Sequence, residues 1–194
     1  HCNINGANYA ASEGHIHVLE WLESPERGEH QVFCDLYGAN NAASRGHLHI
    51  LEWLLHRTTL QMALPEQRSY QVVCNTDGAN NAAFNGNLHI LKWLASPKRG
   101  KHQVFCDLYG ANYAASVGHL HILEWLASPE RGDHQVFCDT DGANIAASEG
   151  HIHVLEWLAS PERGNHQVFC NTDGANYAAS EGHTHILEWL AAPE

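Results

Sequence analysis

Basic residues are scarce in this 194-residue chain: 10 Lys and Arg stand against 22 Asp and Glu, a formal net charge of −12 at pH 7. That excess of negative charge works against phosphate backbones and anionic bilayers, so neither a nucleic acid nor a membrane is expected as a partner, and a neutral or basic protein surface fits better. Long apolar runs are missing as well. None approaches the ~20 residues needed to span a bilayer, and no basic segment followed by an apolar core marks a signal peptide. Charged residues make up only 16% against 44% hydrophobic, a balance too apolar for intrinsic disorder and, with six Trp, enough for a core. A chain that starts at His1 and stops inside a repeat at Glu194 reads as an excerpt.

What is present is repetition. The triplet Gly-Ala-Asn begins at residues 6, 38, 78, 110, 142 and 174, at intervals of 32 residues except for one of 40. The units run approximately 1-33, 34-73 with an 8-residue insertion, 74-105, 106-137, 138-169 and a truncated 170-194. A fixed period of this size marks modules that cannot bury their apolar face alone, which predicts a single all-α solenoid of six stacked helical units. The insertion, Leu55 to Met62, holds no Gly or Pro and is expected to add helical turns before Pro65.

Within a unit, the string from Asp173 to Ser180 reads as a short helix capped by Asp173 and ended at Gly182. The next segment puts Leu120, Leu123 and Leu126 at i, i+3 and i+6, widened by Ile122 and Trp125, the pattern of a core helix. A Trp recurs there in every copy, and at roughly 150 to 250 Å² per ring the six indoles are expected to dominate apolar burial. Ser-Pro at 24-25, 96-97, 128-129 and 160-161 then suggests a short third helix, which Gly28, Gly100, Gly132 and Gly164 weaken. The reading is strongest at Pro65 to Val73, which lacks that glycine.

The recurring histidines and cysteines raise the question of a metal or catalytic site. His119 and His121 fall about 200° apart on a helix at ~100° per residue, so they are not expected to share an ion. His121 with Glu124, and likewise His17 with Glu20 and His153 with Glu156, share a face, but two ligands fall short of the four in a closed zinc site. One cysteine per unit is expected to stack at ~8 to 10 Å from the next, beyond the ~7 Å disulfide limit. Free, buried thiols follow, which suits a reducing, intracellular compartment. His30 with Cys34, and its copies, would meet at i and i+4 on a helix, yet a row of equal nucleophiles is not how enzymes are built. No catalytic, cofactor-binding or metal-binding residue is assigned. Protonating the 17 histidines near pH 6.5 would reverse the sign of the net charge, so binding or stability is expected to respond to acid.

The string DGANYAASEGHTHILEWL resembles the ankyrin repeat, whose usual form is Thr-Pro-Leu-His-x-Ala-Ala-x-x-Gly-His-Leu followed by an apolar helix. Asp173, Gly174, Ala175 and Asn176 fall at the Thr, Pro, Leu and His positions, and Ala178, Ala179, Gly182 and His183 at their namesakes. The tetrapeptide itself is absent, so its hydrogen-bond network is expected to be rebuilt around Asn8, Asn40, Asn80, Asn112, Asn144 and Asn176. A Ser-Pro-Glu segment stands where the family has its hairpin finger, which leaves short helix or finger open.

The resemblance implies protein recognition on a concave face rather than catalysis; the alternative is an array that positions a catalytic or membrane domain outside the excerpt, and a Cys/His metal-binding rod is the least favoured. Residues identical in all units most economically serve stacking, so partner contacts are expected where copies differ. On the first helix these are Tyr9, Asn41, Asn81, Tyr113, Ile145 and Tyr177. Before the Gly-His step they are Glu13, Arg45, Asn85, Val117, Glu149 and Glu181. At the preceding turn they are Tyr37, Asp77, Tyr109, Asp141 and Asp173, and the aromatic share suits a protein interface.

Overall fold

Each repeat takes its shape from one residue that can start a helix and one glycine that can turn it. The computed structural model is described over residues 2–61 and 74–192, and over the backbone alone for 58–61. Contacts divide it into two compact units, one ending at Phe105 and the other beginning at Cys106. Unit one carries α1 (Ile4–Ser12), α2 (Ile16–Glu23), α3 (Leu36–Ser44), α4 (Leu48–Gln61), α5 (Thr76–Phe84) and α6 (Leu88–Leu94). Unit two carries α7 (Leu108–Ser116), α8 (Leu120–Ala127), α9 (Thr140–Ser148), α10 (Ile152–Ala159), α11 (Thr172–Ser180) and α12 (Thr184–Ala191). Among the described residues there is no strand, and no helix is long and apolar enough to cross a membrane.

An Asn or Asp in extended backbone starts every first helix. The Asp139 carboxylate accepts from the Asp141 and Gly142 amides, satisfying donors that the helix leaves open. The start lies two residues earlier than the sequence suggests. In the last repeat Asn171, with φ −97°, is the cap, and Asp173 sits in the first turn, where its charge meets the positive end of the helix dipole. The stop is a Schellman turn: Gly118 at φ +74° lets its own amide donate to the Ala115 carbonyl at 3.2 Å and the His119 amide to Ala114 at 2.8 Å.

The expected third helix is two short 3-10 turns over Pro25–His30, Pro97–His102, Pro129–His134 and Pro161–His166. The glycine inside each breaks the run; Gly132, at φ +52° and ψ −126°, adopts backbone that a side chain disfavours. The chain then runs back extended, and Gln135 donates to the Ala127 carbonyl at 2.7 Å, closing the end of α8. Pro65 to Val73, where a third helix reads most strongly, lies outside the described residues. The insertion does extend its helix, since α4 reaches Gln61, and Met62 lies beyond the described part.

First helices stack on first helices: α3 packs between α1 and α5, and α9 between α7 and α11. They come close because the facing residues are small. Ala39, Ala42 and Ala43 are buried completely, as are Ala143, Ala146 and Ala147. Second helices contribute Ile122, Leu123 and Leu126 in repeat four, each worth about 1.5–3 kcal/mol of burial, while Leu120 is only half-buried.

The indoles do not form the core. Trp21 is 58% exposed, and Trp53, Trp93, Trp125, Trp157 and Trp189 are half-buried. The 3-10 turn that follows covers Trp21, Trp93, Trp125 and Trp157 with a cation. The Arg131 guanidinium lies 3.9 Å from the Trp125 ring centre and Arg163 3.7 Å from Trp157, with Arg27 on Trp21 and Arg99 on Trp93 in the same way. Each of these arginines also donates to the carbonyl of the histidine ending its turn, Arg131 to His134 at 3.1 Å. A large ring over a helix therefore serves here as a lid partner for arginine, half in water.

Candidate functional site

The residues that differ between copies gather on one exposed face of each first helix. Turn, mid-helix and end positions follow at i, i+4 and i+8, which keeps them on neighbouring turns of one side. Tyr37, Asn41 and Arg45 form the stripe on α3, and Asp77, Asn81 and Asn85 that on α5, beside Tyr9 and Glu13 on α1. In unit two the stripes are Tyr109, Tyr113 and Val117, then Asp141, Ile145 and Glu149, then Asp173, Tyr177 and Glu181. All are exposed except Asn41 and Val117, which are half-buried. Tyr9 and Tyr109 are 65% and 67% exposed, far more than a tyrosine needs for packing alone.

Because first helices stack, the stripes of a unit stand side by side. In unit one they touch: Arg45 pairs with Glu13, and the Asn85 amide donates to the Ser44 hydroxyl at 2.9 Å. Both partners of the ion pair are about half exposed, so it contributes between nothing and ~1 kcal/mol. In unit two the stripes carry Asp141, Glu149, Asp173 and Glu181 and no cation. Tyr113, Ile145 and Tyr177, at 42%, 42% and 54% exposure, make that row apolar at its centre and acidic at its edges. Phe84, 42% exposed at a position that is Ser in the other repeats, adds an aromatic edge in unit one. It is absent from the residues expected at the interface, and its one signal in the sequence is that departure from the repeat.

Residues common to the copies are engaged at the seams between repeats. Asn8 accepts from the Asp35 amide at 3.0 Å, Asn40 from Asn75 at 3.2 Å, Asn112 from Asp139 at 3.2 Å and Asn144 from Asn171 at 2.9 Å. The asparagine network expected from the sequence is thus present at these four positions. Its approach explains the adjoining glycine: a Cβ on Gly142 would stand 2.6 Å from Asn112 Oδ1 and 3.0 Å from its Cα.

The histidine pair works on the same seams, and its geometry differs from the expectation. His119 is not in the helix; with φ −82° and ψ 66° it precedes it, so the 100° step does not apply. The two rings therefore come together, with centroids 5.6 Å apart for His119 and His121. The second ring of three of the pairs meets the preceding repeat's glycine carbonyl: His49 Nε2 to Gly14 at 2.9 Å, His153 to Gly118 at 3.0 Å and His185 to Gly150 at 3.1 Å. The first ring lies over the bare Cα of that glycine, where a Cβ on Gly118 would stand 2.9 Å from His151 Nδ1. In repeat three Asn87 takes this place and donates to the Ser44 carbonyl at 2.7 Å. Burial, then the neighbouring His49, holds the basicity of His47 below that of a free imidazole, and His151 is lowered in the same way.

The expected burial holds for four of the six thiols, while Cys2 is exposed and Cys170 half-buried. Cys34, Cys74, Cys106 and Cys138 are buried and unbridged, and burial pushes Cys34, Cys74 and Cys138 up to about 12, so they stay protonated at neutral pH. The segment from His30 to Cys34 leaves its 3-10 turn at Gln31 and runs extended, so the i, i+4 meeting on a helix does not occur. Among the described residues no group of three or more His, Cys, Asp and Glu gathers to hold a metal ion. In comparisons with known proteins, no protein-family model and no curated protein matches the chain.

Proposed function

We propose that the chain is an array of ankyrin-type repeats that recognises a partner protein through the exposed face of its first helices. The observation that carries this reading is the division of labour within a repeat. Asn, Gly and His common to the copies hold the seams, while the residues that vary stand exposed, side by side and partly aromatic. By the resemblance, these positions line the concave groove of the family.

A surface held by stacked helices loses little freedom on binding, which leaves more of the contact energy for affinity. The apolar centre and acidic edges in unit two favour a partner with an apolar knob ringed by basic residues.

The test compares proteins retained from a lysate by the intact chain, by Tyr113→Ala with Glu149→Arg, and by Glu156→Arg on the exposed side of α10. The expected result is loss of retained proteins with the first variant and none with the second. Equal retention by all three contradicts the reading.

A further inference from the structure

Repeat three inverts the charge of the array. All three lysines of the chain, Lys92, Lys98 and Lys101, fall in it, and from Gly78 to Phe105 there is no Asp or Glu, in a chain whose net charge is −12. Lys92 stands where the other five repeats have Glu, Lys98 where repeats one, four and five have Glu, and Lys101 where repeats one and four have Glu29 and Asp133. The backbone does not differ to match: Gly100 in the turn of repeat three has φ 52° and ψ −123°, and Gly132 in that of repeat four φ 52° and ψ −126°. All three lysines are exposed, and among the described residues none forms an ion pair. The fourth cation, Arg99, is engaged inward; it is 8% exposed, lies 3.8 Å from the Trp93 ring centre and donates to the His102 carbonyl at 3.0 Å. Three ammonium groups thus stand free on α6 and the turn after it. None lies on a first helix, so this face is separate from the varying stripes.

We propose that this basic face of repeat three docks a short carboxylate-rich segment of a partner protein. Charge complementarity selects an anion, and the surroundings select a short one. In the same unit, repeats one and two expose Glu20, Glu26, Glu29 and Glu52 at the counterpart positions. A nucleic acid or an anionic bilayer extends beyond one repeat and meets that repulsion, whereas a few consecutive Asp or Glu residues do not. The side-chain type selects carboxylate over phosphate. An ammonium on a flexible stem pairs with carboxylates in no fixed geometry, while the planar fork that grips a phosphate through two bonds is present here only in Arg99, which is buried. Because the lysines are exposed, each pair is weak and screened by salt, so affinity comes from the three acting together.

Fluorescence anisotropy of a labelled peptide of alternating Asp and Glu tests this, with the 194-residue chain and with a variant combining Lys92→Glu, Lys98→Glu and Lys101→Glu. Repeat one carries Glu at all three positions, so the variant keeps side chains that the repeat accommodates, and circular dichroism checks its fold. The wild type is expected to bind the peptide, less tightly as salt rises from about 20 to 200 mM. The variant should bind about tenfold more weakly or worse. Backbone amide shifts on titration should change over residues 92–101. A wild-type chain that leaves the peptide unbound into the millimolar range overturns the proposal. So does a variant that binds as well as the wild type, shift changes confined to unit two, or tighter binding of an oligothymidylate or of phosphatidylserine vesicles than of the peptide.

Discussion

In unit two the arginine of each 3-10 turn lies over the indole just before it, Arg131 on Trp125 at 3.9 Å and Arg163 on Trp157 at 3.7 Å. In repeat two of unit one, Trp53 instead meets Arg57, one turn further along the same helix, at 5.3 Å. There α4 continues where the other second helices stop, and the cation comes from the helix itself. It also lies 5.3 Å from the Phe33 ring and pairs with Glu23 of α2, whose carboxyl burial raises to about 7 against the pull of Arg57. Two of the guanidinium nitrogens are buried without a hydrogen-bond partner among the described residues. The same need, covering an indole, is met by the arginine of a 3-10 turn in repeats one, three, four and five and by a buried ion pair in repeat two. The second solution places more at risk on a single charge.

The largest effect is expected at a seam. Gly142→Val would drive a side chain into Asn112 and into Cys138 Sγ, which would lie only 2.5 Å from the new Cβ. It should cost about 3 kcal/mol in urea denaturation. Hydrogen exchange should show lost protection in α7, α9 and α11 with unit one little changed; equal loss in both units would break the comparison. Next comes the pair of lids. Arg57→Met leaves Glu23 buried beside an apolar chain and should cost about 2 kcal/mol, whereas Arg131→Met removes a cation–π contact and one carbonyl bond for about 1 kcal/mol. Equal midpoints for the two variants would remove the distinction.

The smallest effect is in pH, and its signs oppose each other. His47 and His151 are less basic folded than unfolded, so the unfolded chain takes up protons first and stability falls as pH drops below about 6.5. Glu23 is less acidic folded than unfolded, so protonating it between pH 7 and 4.5 adds stability. Among the described residues, only unit one holds both kinds of group. Acidification from pH 7.5 to 5.5 should therefore reduce exchange protection more in unit two, after correction for intrinsic rates; a greater loss in unit one would contradict the assignment.

The period, the paired helices and the glycine between them were legible because Ala-Ala, Gly-His and the Leu-rich run act through local rules. That the varying positions stand exposed was legible for a related reason, since most of them lie outside the packing between repeats, Arg45 with Glu13 and Asn85 with Ser44 being the bonds that cross it. The fate of Trp125 was not legible, because burial depends on a turn that brings Arg131 back over it. Helical steps misplaced His119, a residue that lies outside the helix, and Asp173 was mistaken for a cap because Asn171, two residues before it, has equal capping chemistry. Phe84 was passed over since one aromatic in an Ala-rich string reads as packing.

The buried cysteines give the molecule a set of internal clocks. Cys34, Cys74, Cys106 and Cys138 are buried, Cys74 against Ala39, Leu51 and Leu54 of the preceding repeat as well as Trp93 and Arg99 of its own, so an alkylating reagent can reach a given sulfur only when the packing around it opens. Peptide-resolved labelling rates would thus report local breathing, repeat by repeat, in the native chain without an introduced probe.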